Sequence, residues 1–259
     1  MESRKTGFEK LLPFGIENSF RKILLVAFNL ISRKFTHWEK DDFSLVTSLD
    51  FEIQRQIIEI IAHDFPQHRI LYEEGDQFHE DKKSGYTWII DPIDGTQNFI
   101  LGKNWYSISV GLMYMRKFIA ALVIFPGINE CYSSLQELNI RSYSTSIDYN
   151  YGSGKIKEVI LCSKSYPILK NKLNEIGIEP ICYNCATFSM LKVLKGDALF
   201  YYTINTNLYD VGPMSFILAL NKIRSFDERF KTIRYNANLK KIPFFVCAQS
   251  LQSLKILRC

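Results

Sequence analysis

Two aspartates three residues apart, directly after an apolar run typical of a strand, are the residues of this chain best suited to chemistry. Asp91 and Asp94 lie in the segment WIIDPIDGTQNF, where Pro92 and Gly95 indicate a sharp turn. Such a turn brings the two carboxylates towards one point, and Mg²⁺ prefers hard oxygen ligands of this kind. Gly95 and Thr96 offer backbone N–H groups to a phosphate oxygen. The segment therefore predicts neighbouring metal and phosphate sites.

An isolated segment of this kind has a second interpretation as a polar turn between strands, because Asp, Pro and Gly are common turn residues. Other acidic residues change the balance. Glu73 and Glu74 follow a strand-like run, so one of them can face the aspartates while the other stays in solvent. Asp210 is expected near a helix N-terminus, where capping and binding of an anion with its metal are both open. Asp50 is expected in a first helical turn, from which it can orient the Thr96 hydroxyl.

The elements that position these residues follow from hydrophobic periodicity and turn signals. In the first half we expect two helices, a strand, an exposed loop and four strands of an antiparallel meander. Their predicted ranges are 20–34 and 49–62 for the helices, 68–71 for the first strand, 75–85 for the loop, and 86–90, 106–113, 118–125 and 130–134 for the meander.

The second half alternates strands and helices, which is typical of an α/β arrangement. We expect strands at 159–162, 180–183, 198–202 and 244–248, helices at 168–176, 186–194 and 211–220, and a terminal helix. The intervening stretch 142–154 is rich in Ser, Tyr and Gly. It predicts an N-terminal α+β subdomain at 1–145, carrying the metal and phosphate motif, and a C-terminal α/β subdomain at 146–259.

Composition limits the classes of protein that fit. The 259 residues are 47% hydrophobic, enough for one large domain or two closely packed ones. The net charge of +5 is spread over 32 basic and 27 acidic residues, which gives nucleic-acid binding little support. Apolar stretches fall short of the roughly 20 residues of a membrane span.

Cysteine usage predicts the compartment. Six cysteines without disulfide-framework spacing, and no secretory signal, predict reduced thiols and a cytoplasmic location. Cys182 and Cys185 have the C-x-x-C spacing of a redox pair or half of a zinc site. Because neither a second pair nor suitably spaced histidines accompany them, both uses are disfavoured.

Four motifs occur in an order that resembles the inositol monophosphatase family, and its bacterial extragenic-suppressor-type members in particular. LVTSLD is similar to the family's L-V-T-x-x-D, YEE to G-E-E, WIIDPIDGTQNF to W-I-I-D-P-I-D-G-T-x-N-F, and YD to W-D. The match spans roughly residues 45–220. The resemblance implies the sugar-phosphatase fold, layered αβαβα, with an antiparallel sheet in the N-terminal half and a mixed sheet with helices in the C-terminal half.

The same resemblance implies the roles of the site residues. Glu73, Asp91 and the backbone carbonyl of Ile93 would hold a first metal ion, and Asp91, Asp94 and Asp210 a second, with a third ion near Glu73. The catalytic residues would be Asp50, Thr96 and Glu73, with Asp50 and Thr96 polarising the attacking water and Glu74 as a helper. Substrate and phosphate would be bound by Gly95, Thr96, Ala186 and Asp210.

The activity implied is Mg²⁺-dependent hydrolysis of inositol monophosphate or a related small phosphate monoester. Two nearby cations suit this chemistry, because a phosphate dianion needs positive charge on both its entering and its leaving oxygens. Alternatives are a 3′,5′-bisphosphate nucleotide or fructose-1,6-bisphosphate as substrate, a regulatory partner in transcription and ribosomal RNA maturation, and a degenerate non-enzyme that binds no Mg²⁺. The family also implies lithium sensitivity and a homodimer, for which the apolar region 106–125 is a candidate interface.

Specificity is where this sequence departs from the family. The family's G-T-A reads Asn184-Cys185-Ala186, and Thr203 stands where inositol-specific members carry a glutamate. The usual E-A-G-G after the last motif is replaced by residues 220–223. All the implied metal ligands are retained, so the sequence predicts the reaction better than the substrate.

Overall fold

The computed structural model describes residues 11–75, 84–135, 158–235 and 241–258. Their helices are α1 (Ile16–Leu30), α2 (Ser48–Asp64), α3 (Thr96–Ile100), α4 (Tyr166–Glu175), α5 (Ala186–Leu194) and α6 (Leu208–Leu220), with short 3₁₀ helices at Pro126–Ile128 and Gln252–Arg258. Their strands are β1 (His37–Glu39), β2 (Leu45–Thr47), β3 (Arg69–Tyr72), β4 (Tyr86–Asp94), β5 (Ser107–Tyr114), β6 (Lys117–Phe125), β7 (Glu130–Ser133), β8 (Glu158–Leu161), β9 (Ala198–Asn207), β10 (Arg224–Phe226) and β11 (Lys241–Ala248).

The first sheet has five strands in the order β3-β4-β5-β6-β7. Strands β4 to β7 form the predicted antiparallel meander, whereas β3 pairs with β4 in parallel. Strands β5 and β6 are mostly apolar on both faces and almost wholly buried. Such continuous runs occur where a sheet is covered on both sides. The parallel pairing places the C-terminal ends of β3 and β4, with their acidic residues, at the same edge.

Helices cover both faces of this sheet. Helices α1 and α2 pack on one face through an apolar stripe that includes Phe20, Ile53 and Ile57. Helices α5 and α6 pack on the other face and separate it from a second, mixed sheet of order β10-β11-β9-β8. Helix α4 and the last 3₁₀ helix cover the outer face of that second sheet through Leu173 and Leu254. The layers are αβαβα, which confirms the predicted fold class.

Several element predictions need correction. The expected strand at 180–183 is a single bridge between Ile160 and Ile181, because the chain leaves the sheet edge at once to enter α5. Strand β4 extends to Asp94, beyond the predicted end at residue 90. The short strands β1 and β10 were not predicted, since three-residue strands carry too little periodicity.

The candidate dimer interface at 106–125 lies inside the protein. From Tyr106 to Phe125 nearly every apolar side chain is buried by the helices on the two faces of the sheet, Met115 in the β5–β6 turn excepted. A homodimer would have to use another surface. Residues 76–83 of the predicted loop at 75–85 lie outside the described residues, as do the boundary at 142–154 and the subdomain division at 145. None of the helices in the described ranges has the length and apolar character to cross a membrane.

Candidate metal and phosphate site

The two aspartates of the central motif lie on a bulge in β4. Asp91 pairs with Ser109 of β5 and Asp94 with Ser107, so three residue steps on β4 oppose two on β5. A bulge of this kind redirects side chains and ends regular pairing. Gly95 follows with φ +87° and forms the N-cap of α3, as the sequence predicted for a turn that opens a short helix. The strand, the bulge and the glycine together aim both carboxylates at one cavity.

Four acidic side chains meet at this edge of the first sheet. Burial raises the pKa of Asp91, and the charges of Glu73, Asp94 and Asp210 raise it further. Burial followed by the charge of Asp210 likewise raises the pKa of Glu73, which hydrogen-bonds Asp91. The predicted ligands Glu73, Asp91, Asp94 and Asp210 are thus brought within electrostatic range of one another. Like charges cannot all stay ionised side by side without a cation.

Asp94 also fixes the N-terminus of α5. Its Oδ2 accepts hydrogen bonds from the Thr187 backbone N–H and Oγ1, each at 2.6 Å, and from the Cys185 thiol at 3.2 Å. Its Oδ1 accepts from the Ala186 N–H at 3.1 Å. An anionic carboxylate is favourably placed at a helix N-terminus. Ala186, predicted as a substrate contact, therefore binds the aspartate directly.

Asp210 comes from the second half of the chain. It is the third residue of α6 and forms a capping box with Asn207, and its Oδ2 accepts from the Thr206 hydroxyl at 2.8 Å and from the Asn207 N–H at 2.9 Å. Burial and the charge of Asp94 raise its pKa to about 6. Asp210 is therefore both a helix-capping residue and a residue of the cavity lining.

The pair Asp50 and Thr96 is assembled as the motifs implied. The Thr96 hydroxyl lies 3.2 Å from Asp50 Oδ1 and 2.8 Å from the Ile93 carbonyl oxygen. Asp50 is fully buried, and its Oδ2 accepts from the Thr47 hydroxyl at 2.6 Å and the Thr47 N–H at 2.8 Å. Burial raises the pKa of Asp50 to about 6, against the hydrogen bonds from Thr47. This carboxylate is held in one orientation towards Thr96.

Glu74 does not stay in solvent, contrary to the sequence-based expectation. Its carboxylate is buried and forms a salt bridge with Lys40 Nζ at 2.7 and 2.8 Å. Its backbone N–H and carbonyl are both bound by the side-chain amide of Gln54. Sequence alone could not show this, because Lys40 lies 34 positions away in the chain. The partner of Glu74 is thus a cation of the protein itself.

The residues present fit a divalent cation. Asp91 Oδ1 is buried and has no hydrogen-bond partner among the described residues. An unpartnered carboxylate oxygen among other acids is the group that a bound cation would satisfy. Within the described ranges, no three acidic, histidine or cysteine side chains already stand in metal-ligand geometry. Asp94 is hydrogen-bonded to the N-terminus of α5 and Asp210 to its own capping box. A bound cation would therefore require these carboxylate oxygens to move closer to one another.

A cavity of about 600 Å³ opens onto these groups. Its floor is formed by Glu73, Asp91, Asp94 and Asp210, and one wall by Gly95 and Thr96. The other wall comes from the second sheet and the start of α5, with Cys162, Ser163, Lys164, Asn184, Cys185, Ala186, Tyr201, Thr203 and Thr206. A volume of this size accommodates a small organic ligand.

A family model described as the inositol monophosphatase family matches residues 9–219. The chain belongs to the inositol monophosphatase family. This is a family of phosphatases, and the match confirms the family inferred from the four motifs. It does not by itself assign the substrate.

Family members with curated descriptions match over part of their length. The chain is 47% identical over 70 residues to the inositol-1-monophosphatase of Bacillus subtilis, covering 26% of each. It is 33% identical over 103 residues to the Nus factor SuhB of Vibrio cholerae, covering 40% of this chain and 38% of that protein. It is 36% identical over 98 residues to the chloroplastic bifunctional phosphatase IMPL2 of Arabidopsis thaliana, covering 38% of this chain and 28% of the relative. Each alignment thus covers less than half of the relative.

Solved structures of inositol monophosphatases share the whole fold. The IMPase of Thermotoga maritima superimposes with a TM-score of 0.73 at 23% identity, over 94% of this chain and 95% of that one. An IMPase/NADP phosphatase complexed with Mg²⁺ and phosphate has a TM-score of 0.71 at 21% identity, over 94% of this chain and 91% of that one. At such identities the likeness shows the fold alone.

Sequence reasoning missed some contacts of this family member's site. Thr187 makes two hydrogen bonds to Asp94, and its position inside the first turn of α5 was the available signal. Cys185 belongs to the C-x-x-C segment, yet its thiol binds Asp94 whereas the Cys182 thiol binds Asn184. All the described cysteines are free. Cys185 is therefore the N-cap residue of α5, with its sulfur accepting from the Phe188 N–H.

Gly95→Ala is expected to destabilise the protein by about 2–4 kcal/mol, through left-handed backbone strain and steric overlap. A Cβ at this position would lie 2.8 Å from the Trp105 carbonyl oxygen and 2.9 Å from Cys185 Cβ. Thermal unfolding measures the effect. Gly177→Ala is the matched control, because Gly177 has φ +76° and nothing within 4 Å of its Cβ position. Equal losses in the two variants would show that the contact with Cys185 does not constrain Gly95.

Proposed function

We propose that the protein is a Mg²⁺-dependent phosphomonoesterase that hydrolyses inositol monophosphate or a related small phosphate ester with an activated water. The observation that carries this proposal is the unpartnered, buried Oδ1 of Asp91 among three other acids. Beside it, Gly95 and Thr96 open α3 on the wall of the same cavity. Anion-binding backbone and cation-binding carboxylates are thus neighbours, as a metal-assisted phosphatase requires.

The proposed ligands are the Glu73 and Asp91 carboxylates with the Ile93 carbonyl for one ion, and the carboxylates of Asp91, Asp94 and Asp210 for another. Bound Mg²⁺ would supply positive charge for the phosphate oxygens and make a water molecule more acidic. We propose two or three ions in total.

The protein's own residues would handle the proton. Thr96 lies between Asp50 and the Ile93 carbonyl, so its hydroxyl can donate to Asp50 while its oxygen accepts from a water. Asp50 accepts that hydrogen bond most strongly when it is ionised. Removal of a proton by such a positioned pair typically contributes about 10²–10⁴ to a rate. We therefore propose that Asp50 and Thr96 orient and polarise the attacking water, with Glu73 close by.

A panel of substrates tests the reaction. Inositol monophosphate, a 3′,5′-bisphosphate nucleotide and fructose-1,6-bisphosphate are incubated with the protein in Mg²⁺ and in EDTA, and released phosphate is measured. We expect release from at least one substrate in Mg²⁺ and its loss in EDTA. No release from any of them would contradict the proposal. Asp94→Asn is a poor probe here, because the Asp94 carboxylate also holds the N-terminus of α5.

The similarity to Nus factors favours a second candidate, a regulatory partner in transcription or ribosomal RNA maturation. A catalytically impaired variant that retains a specific partner from lysate would support it. Homodimer formation, lithium sensitivity and a cytoplasmic location stay predictions from the sequence.

A further inference from the structure

The wall of the cavity opposite Thr96 carries a positive charge. Lys164 follows β8, lines the cavity, and donates a hydrogen bond from Nζ to the Asn205 carbonyl oxygen at 3.2 Å. Among the described residues that line this cavity, Lys164 is the one cation, whereas the floor is acidic. Burial and the charge of Asp94 raise the pKa of Asp210, and the positive charge of Lys164 opposes part of that rise.

No carboxylate of the described residues forms an ion pair with Lys164. Its neighbour on the same wall, Thr203, is neutral, and the Thr203 side chain interacts with Cys162 and Tyr201. A glutamate at position 203 would add a negative charge to the wall that carries this lysine. With threonine there, the ammonium keeps its charge available to a ligand.

Lys164 lies on a different part of the cavity lining from the residues proposed to hold the reacting phosphate. Glu73, Asp91, Asp94 and the N-terminus of α3 lie at the edge of the first sheet, and Asp210 lies at the start of α6. Thr203 lies on β9 of the second sheet, and Ser163 and Lys164 follow its strand β8. A phosphate held at Gly95 and Thr96 would direct its ester substituent across the cavity, whose volume of about 600 Å³ leaves room for one. An exposed lysine on the cavity lining is a point charge suited to an anion.

We propose that Lys164 is a specificity-determining residue that binds a second anionic group, a phosphate or a carboxylate, on the leaving alcohol of the substrate. This inference rests on the proposed phosphatase function and narrows its substrate class. The preferred substrates are then small phosphate monoesters with a further negative charge, and a neutral polyol phosphate is a poorer one.

Matched pairs of substrates test the inference. Fructose 1-phosphate is compared with fructose-1,6-bisphosphate, and glycerol phosphate with phosphoglycerate, so that each pair differs by one anionic group. The measured quantity is the ratio of kcat/KM for the anionic member to that for the neutral member. We expect Lys164→Met to lower this ratio about tenfold, mainly through KM, because a charge-assisted hydrogen bond is lost. The pair that shows the larger change identifies phosphate or carboxylate as the group bound.

Two variants and a salt series serve as controls. Lys164→Arg keeps the positive charge and should restore most of the ratio, whereas Lys172→Met removes an exposed charge from α4 away from the cavity and should not change it. The ratio of the unaltered protein should fall as salt rises. If phosphate is released but Lys164→Met leaves the kcat/KM ratio unchanged in both substrate pairs, the role of Lys164 is refuted and the proposed phosphatase function is not. Release from no substrate at all would refute the proposed function, and this inference with it.

Discussion

Asp91→Asn should lower kcat by about a thousandfold, since Asp91 is the one residue proposed to contact both ions, and such cations contribute several kcal/mol to the barrier. In EDTA the same change should stabilise the fold by about 1–3 kcal/mol, because burying a charge beside like charges is costly. The direction of this stability change follows from the pKa of Asp91, which is raised in the folded state. The ionised carboxylate favours unfolding, and this effect grows as the pH rises.

The two effects are measured by steady-state kinetics in Mg²⁺ and by thermal unfolding in EDTA and in Mg²⁺. Mg²⁺ should raise the unfolding temperature of the unaltered protein but not that of Asp91→Asn. Asp197→Asn, at an exposed surface position, is the control for loss of one negative charge. A variant with near-normal kcat, or one that Mg²⁺ still stabilises fully, would remove Asp91 from the metal site.

Asp50→Asn should lower kcat about a hundredfold or more, because asparagine cannot accept the Thr96 hydrogen bond with a full negative charge. The pKa of about 6 for Asp50 in the folded protein also predicts that activity decreases at acidic pH. Below about pH 6 the carboxylate is protonated, so activity should fall as the pH falls through that value and level off above it. Thermal unfolding checks that the fold is kept, since asparagine can still accept from Thr47.

Combining Thr96→Ala with Asp50→Asn tests whether Asp50 and Thr96 act as one unit or independently. If Asp50 acts only through the Thr96 hydroxyl, the double variant should be no slower than the worse single variant. Losses that multiply in the double variant would show that Asp50 acts on the reaction by another route. The pH profile adds a second check. In Thr96→Ala, Asp50 should still titrate, but the rate should no longer depend on its ionisation.

The positions of the motif residues were easier to predict from the sequence than the contacts that hold those residues in place. Asp91, Asp94 and Thr96 lie within six residues, so local turn geometry determines their relation. Asp210 and Asp50 were placed correctly at helix N-termini, because capping preferences are local too. The salt bridge of Glu74 with Lys40 and the contacts of Asp94 with Thr187 join residues far apart in the chain. Such pairings depend on tertiary packing, which periodicity cannot show.

The interface prediction failed for a related reason. A run of buried apolar residues such as 106–125 has the same pattern whether another subunit or a helix of the same chain covers it. Only the packing of α5 and α6 against β5 and β6 distinguishes these cases. The length of β4 was underestimated because Pro92 and Gly95 signalled a turn where the strand continues through a bulge.

The contacts between Asp94 and the first turn of α5 also bear on the order in which the protein matures. The first sheet and the two helices on one of its faces, α1 and α2, use only residues before 136, and one hydrophobic core lies between them. The donors that orient Asp94, and Asp210 itself, arrive with residues synthesised later. A nascent chain could therefore bury one face of its central strands before it acquires a complete site, and the proposed activity would be among the last properties to appear during synthesis.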